Sequence, residues 1–176
     1  MKATVLLVAL AATVVGIVAP TESASGYADA NADPTFVSVI PAGYRDWKLI
    51  SVAHEEGSLN DIRAILGNDL AIKTYRKGKR QFPDGAIIAR LAWRYVPSWE
   101  NNRALGRAQS FVPGLATDEH LQFMVKNSKK YAATGGWGFA QFNTDGKSAE
   151  NTSLRTCFPC HQAIEKQDFV FTHYAP

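Results

Sequence analysis

The sequence contains few cysteines, little net charge and only one long apolar run. Its 176 residues include two cysteines and carry a formal charge of +3 at pH 7. With 46% hydrophobic and 20% charged residues, the composition is that of a globular domain whose core needs no disulfide bonds to fold. A charge of +3 is too small to indicate nucleic-acid binding by itself, so we expect no nucleic-acid partner. No internal repeat or low-complexity linker is present.

The one long apolar run lies at the N-terminus. Met1 and Lys2 form a short charged start, Ala3 to Val18 are almost entirely apolar, and small residues follow at 23–25. These are the three regions of a secretory signal peptide. A membrane anchor is the alternative, but the run is shorter than the roughly 20 apolar residues that a membrane span needs. We therefore expect cleavage near residues 23–25 and a soluble protein exported to the periplasm.

These features divide the chain into three parts. Residues 1–24 are expected to be the signal peptide, residues 25–40 an N-terminal extension, and residues 41–176 the functional domain. Both cysteines fall in the third part.

The two cysteines lie near the C-terminus in the segment Cys157-Phe158-Pro159-Cys160-His161. The pattern C-x-x-C-H is typical of a c-type haem attachment site. Two thiols at this spacing can bond to the two vinyl groups on one edge of a porphyrin, and His161 then lies beneath the iron as its proximal ligand. Export agrees with this interpretation, because c-type cytochromes mature outside the cytoplasm. The sequence thus predicts covalently attached haem c as the cofactor, bound by Cys157, Cys160 and His161, with His161 as the metal ligand.

Zinc binding and dithiol chemistry are the alternative uses of this segment. Zinc would need a fourth ligand, and the adjacent Cys160 and His161 point in unsuitable directions for one tetrahedral site. A disulfide between Cys157 and Cys160 would close a very small loop and stabilise little. A redox-active pair of the thioredoxin type normally sits at the start of a helix after a strand, early in a βαβ pattern, and the sequence around these cysteines lacks that pattern.

A second axial ligand to the iron does not stand out in the sequence. The candidates are Met124, His54, His120, His173, Lys126 and Lys129. An electron-transfer cytochrome usually presents a plain Met or His ligand in a loop. Met124 is predicted to lie in the core, whereas His120 and His173 are predicted to be exposed. We therefore expect a five-coordinate iron with an open distal position.

The rest of the chain alternates between strand-like and helix-like segments. Apolar alternation and turn signals predict strands at Trp47–Ala53, Ala86–Tyr95, Ala104–Val112, Leu121–Val125 and Trp137–Asn143. Helical spacing predicts short helices at Asp69–Lys77 and Ser128–Ala133, and a further helix is expected to begin at the haem motif. Asp61–Leu66 fits either state. This mixture differs from that of a small all-helical cytochrome c.

Several segments, taken in order, resemble the cytochrome P460 family. They cover the chain from about Pro41 to its end, with the haem motif in a late position. The segments are Pro41–Trp47, Asp61–Arg63, Phe82–Gly85, Lys126–Tyr131, Trp137–Phe139, Cys157–His161 and Asp168–Thr172.

The resemblance implies an α+β fold, mainly an antiparallel β-sheet domain with flanking short helices, and a c-type haem bound near the C-terminus. Residues 41–176 would then form a P460-like c-haem domain, usually a homodimer, with a five-coordinate iron and His161 as the proximal ligand. Members of the family oxidise hydroxylamine, with nitric oxide as an intermediate or product. The β-type cytochromes c′ share the fold and bind nitric oxide and carbon monoxide.

Arg90 marks a departure from the family pattern. In cytochromes P460 a lysine on the strand after the Phe-x-Asp-Gly turn is cross-linked to the porphyrin, and counting from Phe82 places Arg90 at that position. A guanidinium is effectively always protonated and lacks the free lone pair that such a bond requires. Strand alternation places Arg90 on the same face as Ile88. Lys126 matches a different lysine of the family.

Arg90 and Arg63 are the candidate catalytic residues, and their role is left open. Each arginine could donate hydrogen bonds to a ligand at the iron or to a haem propionate. A surface or structural salt bridge is the alternative for both.

Three functions remain open at this level. The first is redox conversion of hydroxylamine or nitric oxide, with a periplasmic electron-transfer partner. The second is binding or sensing of nitric oxide or carbon monoxide without turnover, and the arginine at position 90 strengthens the case for it relative to the first. The third is that of an electron-transfer cytochrome.

Overall fold

The structure is a computed structural model that describes residues 37–149 and 155–175. An antiparallel β-sheet with short helices around it is the main feature of the fold. The predicted signal peptide, most of the predicted extension and residues 150–154 before the haem motif lie outside the described residues. The division of the chain into three parts therefore stays a prediction.

Within the described residues the sheet has five strands, and each strand pairs with the next one in the chain. The strands are β1 (Lys48–Glu55), β2 (Asp61–Gly67), β3 (Ile87–Pro97), β4 (Phe111–Lys126) and β5 (Trp137–Phe142). Every pairing is antiparallel. The predicted α+β class with a mainly antiparallel sheet is therefore confirmed, and the ambiguous segment Asp61–Leu66 is a strand.

Three α-helices and three single 3₁₀ turns accompany the sheet in the described residues. The helices are α1 (Asp69–Arg76), α2 (Trp99–Leu105) and α3 (Cys157–Gln162). The 3₁₀ turns are Tyr44–Asp46, Ala132–Thr134 and Glu165–Gln167. None of the helices in the two described ranges is long and apolar enough to cross a membrane.

Asn68 shows how a single side chain sets a helix against the sheet. Its Oδ1 accepts a hydrogen bond from the Ala71 amide at 3.1 Å and so caps the first turn of α1. The same oxygen accepts from the Ile87 amide at 3.1 Å, and Nδ2 donates to the Gly85 carbonyl at 2.7 Å. The start of α1 is thereby joined to the start of β3.

Two sequence predictions of local structure are wrong. Ala104–Val112 is not one strand, because Ala104 and Leu105 end helix α2 and β4 begins only at Phe111. The Ser98 hydroxyl caps the start of that helix, and Gly106 ends it with a φ of 67°. Ser128–Ala133 is not an α-helix but a turn followed by the 3₁₀ turn, although Gly135 ends it as expected, with a φ of 65°.

The two faces of the sheet carry separate apolar clusters. Ile88 belongs to the cluster that includes Ile50, Ile72 and Phe139, while Ala89 and Leu91 belong to the other cluster, which also contains Leu121, Phe123 and Phe142. This division confirms the predicted alternation along β3. Tyr44 and Trp47 pack edge to face on Phe123, at 5.5 and 6.4 Å between ring centroids. The N-terminal segment thus covers the second cluster.

The C-terminal part of β3 and the N-terminal part of β4 pair only with each other. The pairs Tyr95↔Pro113, Val96↔Val112 and Pro97↔Phe111 lie beyond the ends of β2 and β5. Together with α2 they form a projection that we call the arm, residues 95–115. Its surface exposes large apolar side chains, with Trp99 77% and Leu115 83% exposed.

Candidate haem site

The sheet face that carries Ile88 and Phe139, together with α3 and the C-terminal segment, lines a cavity of about 830 Å³. That volume is within the usual range for ligand and cofactor sites. The wall combines apolar side chains with a few polar and charged ones. It includes Arg63, Ile65, Ile88, Arg90, Met124, Phe139, Cys157, Cys160, His161, Phe171 and His173. The structure therefore brings all five of the sequence-predicted site residues to one cavity.

His161 lies on α3 in an orientation set by one hydrogen bond. Its Nδ1 lies 2.6 Å from the carbonyl oxygen of Phe169. A carbonyl oxygen can only accept, so Nδ1 carries the hydrogen, and in the neutral ring the lone pair is on Nε2. Burial lowers the pKa of His161 below its ordinary value, with a smaller opposing effect from the hydrogen bond to Phe169. A neutral imidazole with this tautomer is the form that binds a metal.

The rings of Phe139 and Phe171 hold the imidazole between them. Each ring centroid lies 5.1 Å from that of His161, at interplanar angles of 51° and 65°. Phe139 comes from β5 and Phe171 from the C-terminal segment, so the ring is supported by elements far apart in the chain.

Cys157 and Cys160 are free thiols on the same helix as His161. Cys157 is half-buried and Cys160 is exposed, and both line the cavity. Burial, with a further contribution from the charge of Glu119, raises the pKa of Cys157 to about 11. Cys157 is therefore a protonated thiol at neutral pH. The described residues contain no group of three or more His, Cys, Asp and Glu side chains arranged to hold a metal ion.

The residues after α3 form a strained turn. Asp168 and Phe169 have φ values of 53° and 63°, in the left-handed region that side chains other than glycine rarely adopt. Such residues cost on the order of 1–3 kcal/mol each. The Asp168 carboxylate accepts from Lys126 Nζ at 2.6 Å and from the Phe82 amide at 2.8 Å. Sequence reasoning assigned no role to Asp168, because its partners lie in distant segments.

Asp61 joins the two candidate arginines on another part of the cavity wall. Its Oδ1 lies 2.6 Å from Arg63 Nε, and its Oδ2 lies 2.9 Å from Arg90 Nη2. Asp61 itself is only 1% exposed. Arg63 also pairs with Glu55, and Arg90 Nη1 donates to the Glu119 carbonyl at 3.0 Å. Neither arginine is a solvated surface residue, and Asp61 is a member of the cluster that sequence reasoning missed.

One hydrogen-bond donor of Arg90 has no acceptor among the described residues. Burial is the main cause that lowers the pKa of Arg90 from its ordinary value, followed by the charge of Arg63. A guanidinium nevertheless stays charged in proteins. In the part of the chain that the structure describes, its buried Nε has no hydrogen-bond partner. Arg90 as a residue lines the cavity, although this Nε atom is itself buried.

The six candidate axial ligands are distributed unequally around the site. Met124 and His173 line the cavity. His120 is buried, not exposed as predicted, because β4 turns its ring against Trp93 and brings Nδ1 within 2.8 Å of the Ala92 carbonyl. His54 is exposed and stacks on Tyr95, at 4.1 Å between ring centroids. Lys129 is exposed, and Lys126 lies in the ion pair with Asp168.

The residues of the cavity fit a haem c. Two thiols and a neutral imidazole on one helix are groups that could tether a haem and bind its iron, and apolar walls with a few cationic donors surround the space. The fold, an antiparallel sheet with short helices, differs from that of the all-helical cytochromes c, and its cavity has the groups expected of a haem-binding domain.

A family model described as Cytochrome P460 matches residues 41–172 of the chain. The chain belongs to the cytochrome P460 family and is a haem c protein of that kind. In a comparison with curated proteins, no match was found.

Replacing Asp61 with asparagine should destabilise the protein strongly. Asp61→Asn removes the negative charge between two arginines that the fold keeps largely buried, and breaking a buried ion pair typically costs about 3–5 kcal/mol. Denaturant unfolding of the haem-loaded protein measures the loss. Asp69→Asn is the matched control, because the pair of Asp69 with Lys48 is exposed and should contribute little. Similar stability in the two variants would contradict the assigned role of Asp61.

Proposed function

We propose that Cys157 and Cys160 attach the haem covalently, that His161 is its proximal ligand, and that the iron keeps an open distal position. The observation that carries this proposal is the hydrogen bond from His161 Nδ1 to the Phe169 carbonyl. It gives Nε2 the lone pair, on a side chain that lines the same cavity as both thiols. The function that the site supports best is the handling of small nitrogen ligands such as nitric oxide and hydroxylamine.

The bound haem would supply an iron atom that binds the ligand and exchanges electrons. The protein's own residues then have separate tasks. His161 holds the iron from one side, and the thiols of α3 prevent loss of the group. Ile65, Ile88 and Phe139 provide an apolar wall that limits the entry of water. Such a wall strengthens the polar contacts that remain inside the cavity.

Arg63 and Arg90 are the candidate catalytic residues on the charged part of the wall. Asp61 fixes both guanidinium groups, so neither has to be ordered when a ligand arrives. Arg90 lies on the cavity wall, so its guanidinium presents a fixed positive charge to a ligand at the iron or to a haem propionate. A fixed cationic donor of this kind stabilises negative charge that develops next to it.

Redox conversion of hydroxylamine or nitric oxide is the leading version of this function, with a periplasmic electron-transfer partner. Binding of nitric oxide or carbon monoxide without turnover is the second version. It is supported by Arg90, which replaces the lysine that is cross-linked in cytochromes P460 and is held by Asp61 and the Glu119 carbonyl. Electron transfer is the third version, supported by the presence of Met124 and His173 in the cavity wall.

We place the protein in the periplasm. The N-terminal segment has the composition of a signal peptide, and thioether attachment of haem takes place outside the cytoplasm. Intact mass of the exported chain should show a mature N-terminus near residues 23–25.

The exported protein should carry one haem and a high-spin, five-coordinate ferrous iron. Intact mass and the visible spectrum of the reduced protein measure these two properties. Met124→Leu and His173→Gln should leave the spectrum unchanged, since neither side chain binds the iron in this proposal. A low-spin spectrum that becomes high-spin in one of these variants would contradict the open site and support electron transfer. A colourless chain with the bare polypeptide mass would contradict haem attachment itself.

Consumption of hydroxylamine with an artificial oxidant then separates turnover from stoichiometric binding of nitric oxide.

Peptide mapping of the haem protein should find no covalent bond to the porphyrin other than those of Cys157 and Cys160. A protonated guanidinium cannot form the bond that a lysine amine forms. Arg90→Lys should gain a third bond, because position 90 lines the cavity. Arg94→Lys is the control, an exposed position on the same strand that should gain none. A third bond in the unaltered protein would contradict this assignment of Arg90.

We also propose that the protein is a homodimer whose contact includes the arm. A two-stranded hairpin is at best marginally stable in water by itself. The arm nevertheless exposes Trp99, Leu105, Phe111 and Leu115, an apolar surface of the kind that marks protein contacts. A second copy that buries these side chains would stabilise the arm.

A charge at the centre of this surface should separate the dimer. Leu115→Asp is expected to weaken self-association by at least tenfold, since each 1.4 kcal/mol lost is a factor of ten. Light scattering over a range of concentrations measures the change. Leu59→Asp is the control, an exposed leucine between β1 and β2 that lies outside the arm. A monomeric unaltered protein, or equal association of both variants, would contradict the proposed contact.

A further inference from the structure

The turn that follows α3 has a backbone conformation that its residues do not favour. Asp168 and Phe169 are consecutive residues with positive φ, and neither is glycine. A bulky aromatic residue in the left-handed region is a clear outlier. Such a conformation persists only when the surrounding structure imposes it, and it concentrates at functional sites.

Three separate segments impose this conformation on Asp168. Lys126 Nζ at the end of β4 donates to Oδ1 at 2.6 Å. The amide of Phe82, in the turn before β3, donates to Oδ2 at 2.8 Å. Trp137 Nε1 at the start of β5 donates to the Asp168 carbonyl oxygen at 2.9 Å. Both carboxylate oxygens and the main-chain oxygen of Asp168 are therefore held, by two strands and by the turn before β3.

The ion pair between Lys126 and Asp168 is buried, with side chains 10% and 9% exposed. Lys126 Nζ also donates to the Gly135 carbonyl at 3.1 Å and lies 5.0 Å from the centre of the Trp137 ring. The desolvation of a buried ion pair offsets much of its attraction, so such a pair is weak evidence for a role in stability alone. The alternative role of the ion pair is to set the backbone position of the next residue, Phe169.

The Phe169 side chain is held as firmly as its neighbour. Its ring lies against the backbone of Gly135, where even a single Cβ atom would collide with it. The Gly135 carbonyl is the second acceptor of Lys126. Lys126 therefore bonds both to Gly135, which packs against the Phe169 ring, and to Asp168, which precedes Phe169 in the chain.

We propose that the Lys126–Asp168 pair is a positioning device that fixes the Phe169 carbonyl as the acceptor for His161 and thereby sets the electronic character of the iron's proximal ligand. The inference rests on the proposed function, in which His161 binds the haem iron. The pair touches neither haem nor substrate in this proposal, and acts only through the turn.

The direction of the effect follows from the chemistry of imidazole. The Nδ1–H bond to the Phe169 oxygen is short, at 2.6 Å, and such a bond raises the basicity of the ring. A more basic ligand stabilises ferric iron relative to ferrous iron. Release of the Phe169 carbonyl should therefore shift the midpoint potential of the haem to higher values.

The test compares two ways of loosening the same turn in the haem-loaded protein. Lys126→Met removes the ion pair, and Trp137→Phe removes the hydrogen bond to the Asp168 carbonyl while an aromatic ring stays at that buried position. Both should raise the midpoint potential and lower the iron–histidine stretching frequency of the ferrous protein. Lys126→Arg keeps the charge and should restore part of the difference. Trp137→Phe keeps the inference testable should Lys126→Met fail to fold.

Two further measurements separate positioning from general loosening. Ile72→Val alters the buried side of α1 and should change unfolding without changing the potential. Amide exchange at Phe82 reports the turn directly, and should become at least several-fold faster in Lys126→Met.

Potentials that stay unchanged in both turn variants, with haem attached, would overturn the inference. An equal shift in Ile72→Val would overturn it as well. Failure of the unaltered chain to attach haem is visible by mass before any potential is measured, and would contradict the proposed function.

Discussion

The short hydrogen bond between His161 Nδ1 and the Phe169 carbonyl is the interaction on which the site depends. It selects the tautomer of the imidazole, orients the ring, and joins α3 to the segment that closes the cavity. Phe139 and Phe171 then hold the ring from two sides. Without this bond, the thiols and the imidazole of α3 would still be neighbours in the chain. Neither ring nitrogen, however, would be fixed as the one whose lone pair binds a metal.

Two buried ion-pair systems stabilise this arrangement around the site. Lys126 and Asp168 hold the turn that presents the Phe169 carbonyl. Asp61 holds Arg63 and Arg90 on the cavity wall. Each system places charge where little water reaches, and each therefore needs nearly complete pairing to avoid a large desolvation cost. The buried Nε of Arg90 is an exception, because it has no hydrogen-bond partner among the described residues.

The fold could be predicted from the sequence where local signals agreed with the final packing. The alternation along β3 correctly separated Ile88 and Arg90 from Ala89 and Leu91, because a half-buried strand shows its two faces directly in its sequence. The segment around Leu105 misled the prediction, because its apolar side chains lie on the exposed arm and carry no signal of a buried face. His120 was predicted to be exposed from its charged neighbours, yet β4 buries it against Trp93.

By itself, the sequence determined the class of the fold and predicted the haem motif at the C-terminus. Cys157, Cys160 and His161 are close in the chain, so that prediction follows from local spacing alone. Only the tertiary structure decided which other groups act with them. Asp168, in the turn after α3, meets Lys126 across 42 positions, and Asp61 meets Arg90 across 29 through the antiparallel pairing of β2 with β3. Contacts of this kind leave no local pattern, since each partner by itself reads as an ordinary charged residue.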